Sequence, residues 1–488
     1  MEENKDMNNR VPLYETITRG RRIQILIAVA IGTFMGALDS SVVNIALPNI
    51  TKYFNAPLAA VQWVVMSYLL IISSLLLTYG RMGDMYGHKR IYISGFIIFT
   101  IGSVLCGLSP TIGFLIVARA VQALGAGMLM SMGPAIITDI SHPKDRGKAL
   151  GVNAVAVSVA LTAGPVLGGF LVSNFDWSSI FYINLPVGII GILWGIKVIP
   201  GRKDIIRQPF DIMGAFVIFI ALICILLPLS LVERIGWGVW YIPTLLAAGF
   251  IFLILFIFIE KTTEYPMINL KLFRNRQFSM SNISAMLNYM AQYTVVFLMP
   301  FYLQQLRGLP ASEAGLFMIP MPITTMILAP ISGILSDRTD SRILSAVGMG
   351  IAAFGIWQLS KLGINSPRLQ ISLALITTGI GVGLFQTPNN SVIMGSVPGN
   401  WRGIASGMLA TMRNMGMVLG VAVSGAVFTN RLNALNVELG RLGVTGEALR
   451  VQSFTGAMHL TYIIGSLIAC FAALTSLIRS SGKNKKTL

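Results

Sequence analysis

The chain has 488 residues, 54% hydrophobic and 11% charged, with a mean hydropathy of +0.73 and a formal net charge of +17. A soluble domain carries about 25% charged residues, so this composition excludes a water-soluble enzyme and a disordered chain. It also excludes a nucleic-acid binder despite the positive charge, and leaves an all-α polytopic membrane protein.

A membrane-spanning helix needs about 20 apolar residues to cross about 30 Å of hydrocarbon. Residues 1–22 are polar and read as a tail; the first apolar run is too long for a secretory leader and lacks a cleavage pattern. Fourteen spans are then predicted. The first six, at 23–47, 62–80, 91–109, 112–138, 149–172 and 179–197, make an N-terminal six-helix bundle over 23–197. Two more, 212–231 and 241–260, lie in a linker over 198–278. The last six, 279–304, 311–336, 343–360, 369–395, 403–428 and 456–478, make a C-terminal bundle over 279–478, followed by a tail over 479–488. Residues 429–455 are the longest outer loop. Their alternating Leu and Val predict an amphipathic helix or short hairpin outside the bilayer.

Orientation follows from the basic residues. With the N-terminus in the cytoplasm, 26 of the 36 Lys and Arg face inward and eight outward; the other two, Arg119 and Arg413, lie inside spans. Both termini of this multi-pass cell-membrane protein are therefore expected in the cytoplasm, and the +17 mostly orients the chain. Cys106, Cys224 and Cys470 sit far apart in apolar runs and read as buried small hydrophobes.

An internal repeat is visible. Gly80-Arg81-Met82-Gly83-Asp84-Met85-Tyr86-Gly87-His88-Lys89-Arg90 closes the second span, and Gly333-Ile334-Leu335-Ser336-Asp337-Arg338 closes the tenth, 253 residues later. Duplicated helical halves with a site at their interface are how many secondary transporters are built.

The repeat is accompanied by motifs that carry a resemblance. Asp39-Ser40-Ser41-Val42-Val43-Asn44-Ile45-Ala46-Leu47-Pro48 ends the first span, Arg119-Ala120-Val121-Gln122-Ala123-Leu124-Gly125-Ala126-Gly127 lies in the fourth, and Gly164-Pro165-Val166-Leu167-Gly168-Gly169 in the fifth. With the Gly80–Arg90 loop, these resemble the major facilitator superfamily, and within it the fourteen-span drug:proton antiporters. Two positions depart from that pattern: Ala123 stands where glycine is usual, and Ser178-Ser179 where Arg-Trp is more usual. The resemblance implies two six-helix bundles plus two extra helices, no cofactor, and transport driven by the proton gradient. It also implies that Gly80, Arg81, Gly83, Asp84, Gly87, Lys89 and Arg90, with a shorter copy at Asp337 and Arg338, clasp the outward-open state. Positive-inside anchoring is the plainer account of the same charges.

Only one carboxylate lies well inside a span. Asp39 sits about 12 Å below the outer face, and Arg119, descending from the same face, is also about 12 Å deep at 1.5 Å per residue. A lone charge at that depth costs on the order of 3 kcal/mol or more, so it needs a partner or a proton. The expected role of Asp39 is to bind and release the driving proton, with Arg119 tuning its affinity; the alternative is a static pair that only holds helices. Arg413 lies about 15 Å deep with no acid on its helix, facing either the cavity or a neighbouring helix. The repeat interval places Gln292 opposite Asp39, which predicts a neutral C-terminal site and one proton per cycle. Tyr68, Gln122, Asn288, Tyr289, Gln292, Tyr293, Phe385, Arg413 and Met415 are the candidate cavity lining, each with ordinary packing as its alternative. In the fifth span, Pro165 breaks a backbone hydrogen bond. Gly164, Gly168 and Gly169 admit a close neighbour, so this helix is expected either to gate one face or simply to form a packing groove.

Other classes lack parts. No Gly-rich phosphate loop of the ATPase kind occurs. His88, His142 and His459 lie near span ends without clustered carboxylates, so neither a metal site nor an enzyme is expected. No charged ring marks a channel. The expected function is proton-coupled export of lipophilic or toxic small molecules by a monomer in the bilayer. Transport of a specific metabolite, or a transport-inactive sensor, stand as alternatives.

Overall fold

A computed structural model describes residues 13–142, 145–201, 211–235, 239–263, 270–398 and 401–478. The described residues are helices joined by short turns, as lipid demands when every backbone N–H and C=O must be satisfied within the chain. The N-terminal half contains α1 (Arg19–Tyr53), α2 (Leu58–Tyr86), α3 (His88–Gly107), α4 (Ile112–Ile140), α5 (Arg146–Asn174) and α6 (Asn184–Val198). Then come α7 (Ile212–Ile235) and α8 (Tyr241–Thr262). The C-terminal half contains α9 (Arg276–Phe301), α10 (Pro320–Arg338, preceded by a short helix Ala311–Met318), α11 (Ser341–Leu359), α12 (Arg368–Gly395), α13 (Arg402–Arg441) and α14 (Gly446–Leu477). Local chemistry starts these helices where the sequence says: the Thr111 hydroxyl accepts from the Phe114 N–H at 3.2 Å at the head of α4. Asn275 accepts from the N–H groups of Gln277 and Phe278 at the head of α9. Gly87, at φ +93°, makes the tight turn between α2 and α3.

Among the described residues, twelve helices are long and apolar enough to cross a bilayer, not the fourteen expected. Two helices, α7 and α9, are outside that count. In α7 the described side chains form the shorter apolar stretch Met213–Ile225, and several of the others lie outside the described residues. In α9 the middle of the helix carries Asn282, Asn288 and Gln292, which lower its apolarity. A second difference concerns residues 429–455. Instead of a separate amphipathic loop element, α13 continues helical to Arg441 and α14 begins at Gly446. The polar residues that end a span by hydropathy do not end a helix, because a helix leaving the bilayer loses nothing by continuing into water.

Each half has its own packing. In the first, α1 packs on α5, and α4 on both α2 and α3; in the second, α9 packs on α13 and α14, and α12 on both α10 and α11. The duplication seen at Gly80 and Gly333 recurs in this packing. A Cβ on Gly102 of α3 would lie 2.5 Å from the Cα of Gln122 in α4. A Cβ on Gly355 of α11, 253 positions later, would lie 2.5 Å from the backbone N of Thr378 in α12. Gly95 and Gly348 repeat the relation at the same interval: Cβ atoms there would stand 3.0 Å from the Gly125 carbonyl oxygen and 2.8 Å from the Gly381 carbonyl oxygen, respectively. Small residues that let backbones approach are the main source of helix association in lipid. Gly102→Leu is therefore expected to cost about 1–3 kcal/mol or more by overpacking and to lower the thermal midpoint in detergent. Gly350→Leu, where nothing lies within 4 Å of the added Cβ, should leave it nearly unchanged.

The halves meet through α2 against α13, α1 against α9, and α5 against the Ala311–Met318 helix. Among the described residues, three polar contacts across this seam lie at the end that the basic-residue count assigns to the outside. Asn49 Nδ2 donates to Gln304 Oε1 at 2.8 Å, Gln304 Nε2 donates to the Ile45 carbonyl at 2.8 Å, and the Ser312 N–H donates to Ser173 Oγ at 3.0 Å. Helix α7 packs against α2 and α13, one from each half, and α8 packs on α7. Ile254 and Phe258 of α8 are largely exposed, as befits side chains that face lipid.

Candidate functional site

The equal depths of Asp39 and Arg119 do bring the two charges together. Arg119 Nη1 donates to Asp39 Oδ2 at 2.5 Å, with side-chain exposures of 1% for Arg119 and 0% for Asp39. Around the pair the structure builds a polar knot inside the N-terminal half. Asp39 Oδ1 accepts from Gln122 Nε2 at 2.9 Å and from Asn184 Nδ2 at 3.1 Å. Arg119 also donates from Nε to the Val64 carbonyl at 3.1 Å and from Nη1 to Gln122 Oε1 at 2.6 Å. Ser103 Oγ accepts from Gln122 at 2.6 Å and from Asn184 at 3.1 Å. The Tyr68 ring lies 4.0 Å from the guanidinium carbon, a cation–π contact, and its hydroxyl donates to the Gly36 carbonyl at 3.3 Å.

Five helices therefore converge on one carboxylate. Removing a charge pair from water costs several kcal/mol per ion, repaid only with good geometry and further hydrogen bonds. Here both carboxylate oxygens are occupied by donors. Tyr68 and Gln122, expected along the cavity, belong instead to this enclosed network: Tyr68 is 1% exposed and Gln122 0%. Ser103 and Asn184 were not among the sequence candidates. Gln122 had a signal, one turn from Arg119 on the same face. Ser103 had none, being one of many hydroxyls in apolar runs.

The remaining cavity candidates divide. Tyr289, Gln292 and Tyr293 follow one another around α9, and Arg413 of α13 has its guanidinium carbon 5.8 Å from the Tyr289 ring centroid. Tyr293 meets Ser40 of α1 across the seam. Asn288 is fully buried on α9, and Met415 is half-buried on α13. Phe385 stands apart: its backbone nitrogen lies 3.0 Å from where a Cβ on Gly348 would be, in the α11–α12 contact.

In the Gly80–Arg90 loop, the Asp84 side chain lies outside the described residues, as does that of Asp337, so the expected clasp is not on view. Gly80 lies near Ser131 and Gly83 is packed against Met132 and His88. Lys89 Nζ donates to the Ile196 carbonyl at 2.7 Å, Arg81 is half-buried, and Arg90 and Arg338 are exposed. The loop does hold a pair that sequence reasoning missed. His88 Nδ1 stands 2.7 Å from Asp139 Oδ2 at the end of α4. In α5, Gly164 packs on Ser41 and Gly168 on Ile45 and Val42 of α1. Gly169 packs on the Ala311 carbonyl and the Pro165 carbonyl on Gly315, both across the seam.

What the arrangement can do chemically is limited and clear. Among the described residues no group of three metal-ligating side chains occurs. The site offers one enclosed carboxylate that a proton would neutralise, close to an interface between two bundles.

The sequence model of the Major Facilitator Superfamily matches residues 29–421. A riboflavin transporter of Clostridioides difficile is 36% identical over 412 residues, covering 84% of this chain and 88% of that one. A multidrug transporter of Bacillus subtilis is 30% identical over 414 residues, 85% of this chain and 76% of that one. The tetracenomycin C resistance and export protein of Streptomyces glaucescens is 30% identical over 415 residues, 85% and 77%. Among solved structures, a bacterial homologue of the lysosomal transporter Spinster, inward-facing and unoccupied, superposes with a TM-score of 0.68 at 17% identity, covering 96% of this chain and 100% of that one. A D-xylose–proton symporter superposes with a TM-score of 0.65 at 13% identity, covering 96% and 99%. These two establish likeness of fold.

Proposed function

Since this chain belongs to the Major Facilitator Superfamily, and is a transporter rather than an enzyme, we propose that it is a proton-coupled exporter of lipophilic or toxic small molecules. It works by alternating access, as a monomer of the fourteen-span drug:proton antiporter family. The observation that carries this reading is the Asp39–Arg119 pair, buried in the N-terminal half with Asp39 on α1, the helix of the two that packs on α9 across the seam. Neutralising Asp39 with a proton removes the charge that holds Arg119, so the two protonation states favour different arrangements of α1 and α4. A ligand can shift an equilibrium only by its differential affinity for the two states, and a proton on this carboxylate supplies such a difference. The seam contacts at Asn49, Gln304, Ser173 and Ser312 belong to a state closed at the outer end, which is the state from which cytoplasmic cargo is collected. Pro165 and the glycines of α5, packed on the Ala311–Met318 helix, form part of that closure. For the span count, α7 and α9 supply the two further crossings, being 24 and 26 residues long.

A second reading is favoured by a particular fact: the riboflavin transporter is more similar than either drug exporter cited above, at 36% against 30%. On that reading the same scaffold moves one metabolite. Purified protein in liposomes with an imposed pH gradient separates the two. Export of drugs predicts gradient-dependent uptake of several unrelated lipophilic dyes. Metabolite transport predicts movement of riboflavin or one similar compound and none of the dyes. Transport of either kind that ignores the gradient contradicts proton coupling.

A further inference from the structure

The Asp39–Arg119 pair is electrically closed; Arg413 is not. Its Nε is buried without a hydrogen-bond partner, and among the described residues no ion pair to it is present. Its guanidinium carbon lies over the face of Tyr289, 5.8 Å from the ring centroid. Gln292, one turn on, has an unpartnered Oε1. Buried polar groups are nearly always satisfied, and an arginine inside a membrane is expensive unless something accepts from it. Tyr289 and Tyr293 lie on the side of α9 that packs on α13, against Gly416 and Gly420, and Tyr293 also meets Ser40 of α1 across the seam.

The chemistry missing from this place can be read from what is left over. Arginine presents a planar fork of donors with a fixed charge, matched by a carboxylate or another delocalised oxyanion. Tyr289 and Tyr293 offer flat faces to an aromatic ring. The same faces attract a cation only weakly, and the fixed Arg413 charge opposes it. The one deep carboxylate, Asp39, is already held by Arg119, Gln122 and Asn184.

We propose that Arg413 of α13, with Tyr289 and Tyr293 on the facing side of α9, is the polar subsite for the substrate, and that it selects weakly acidic aromatic compounds over lipophilic cations. This rests on the transporter reading above and narrows its substrate class. The test is binding, at fixed pH and without any gradient, so it does not depend on proton coupling. The full-length protein in detergent is titrated into fluorescein, an aromatic acid, and into rhodamine 6G, a lipophilic cation with a similar ring system, and fluorescence polarisation is read. Fluorescein is expected to bind about tenfold tighter or more. Arg413→Gln should weaken fluorescein about tenfold or more without weakening rhodamine 6G, since a lost charge-assisted hydrogen bond is at stake. Arg413→Lys keeps the charge but not the fork and should fall between, which preserves the test if the glutamine variant does not fold. Equal or reversed ranking of the two dyes by the wild type, binding of neither, or unchanged fluorescein affinity in a folded Arg413 variant each overturns the proposal. Failure of proton coupling in liposomes, by contrast, leaves this ranking intact.

Discussion

Asp39→Asn is expected to abolish gradient-driven transport, reducing it to the rate of protein-free liposomes, while leaving a folded protein. The amide has the shape of the carboxylate and can still accept from Arg119, so the helices remain joined. What it lacks is a site for the proton. Among the described residues, Asp39 is the buried acid at the meeting of α1 with α3, α4 and α6, where Ser103, Arg119, Gln122 and Asn184 also converge. No neighbouring carboxylate in that network can take over. A variant that still concentrates substrate against its gradient in response to a pH difference would show that the proton is carried elsewhere.

Arg119→Ala should have a larger effect on stability and an equal one on transport. It leaves the Asp39 carboxylate buried with only the amides of Gln122 and Asn184 as donors, and opens a void against Tyr68 and Phe181. Breaking a buried pair by removing one partner costs about 3–5 kcal/mol. The expected result is poor accumulation in the membrane or a strongly lowered thermal midpoint in detergent. The double variant Asp39→Asn with Arg119→Gln removes both charges and keeps most hydrogen bonds, so it should recover much of the stability but none of the proton-driven transport. Recovery of transport along with stability would reduce the pair to a structural strut.

The part of the site that was legible in the sequence was the part governed by depth. Counting residues from a span edge places a side chain along the membrane normal, because the helical rise is fixed. That is why Asp39 and Arg119 could be matched across different helices. Depth says nothing about rotation around the helix, so Ser103 and Asn184 were invisible. Tyr68 and Gln122 were given to the cavity when they face the Asp39 network. Hydropathy has a similar blind side: it finds where a chain leaves lipid, not where a helix stops, and so residues 429–455 read as a loop although α13 and α14 run through most of them. In α9 the same measure works in the other direction. Asn282, Asn288 and Gln292 make that helix poor in apolar content because it turns polar groups inward. The repeat was legible at Gly80 and Gly333, but its deeper copy was not used: Gly95 and Gly102 in α3 against Gly348 and Gly355 in α11, where backbones touch.

The role of Asp39 is tested most directly by proton release on substrate binding. Purified protein in weakly buffered detergent solution, with a pH-indicating dye, is mixed with a transported compound, and the change in free proton concentration is recorded. Release of about one proton per wild-type molecule, and none from Asp39→Asn, is the result that the exchange of cargo for a proton at this carboxylate predicts. No release from the wild type, or the same release from both proteins, would contradict it.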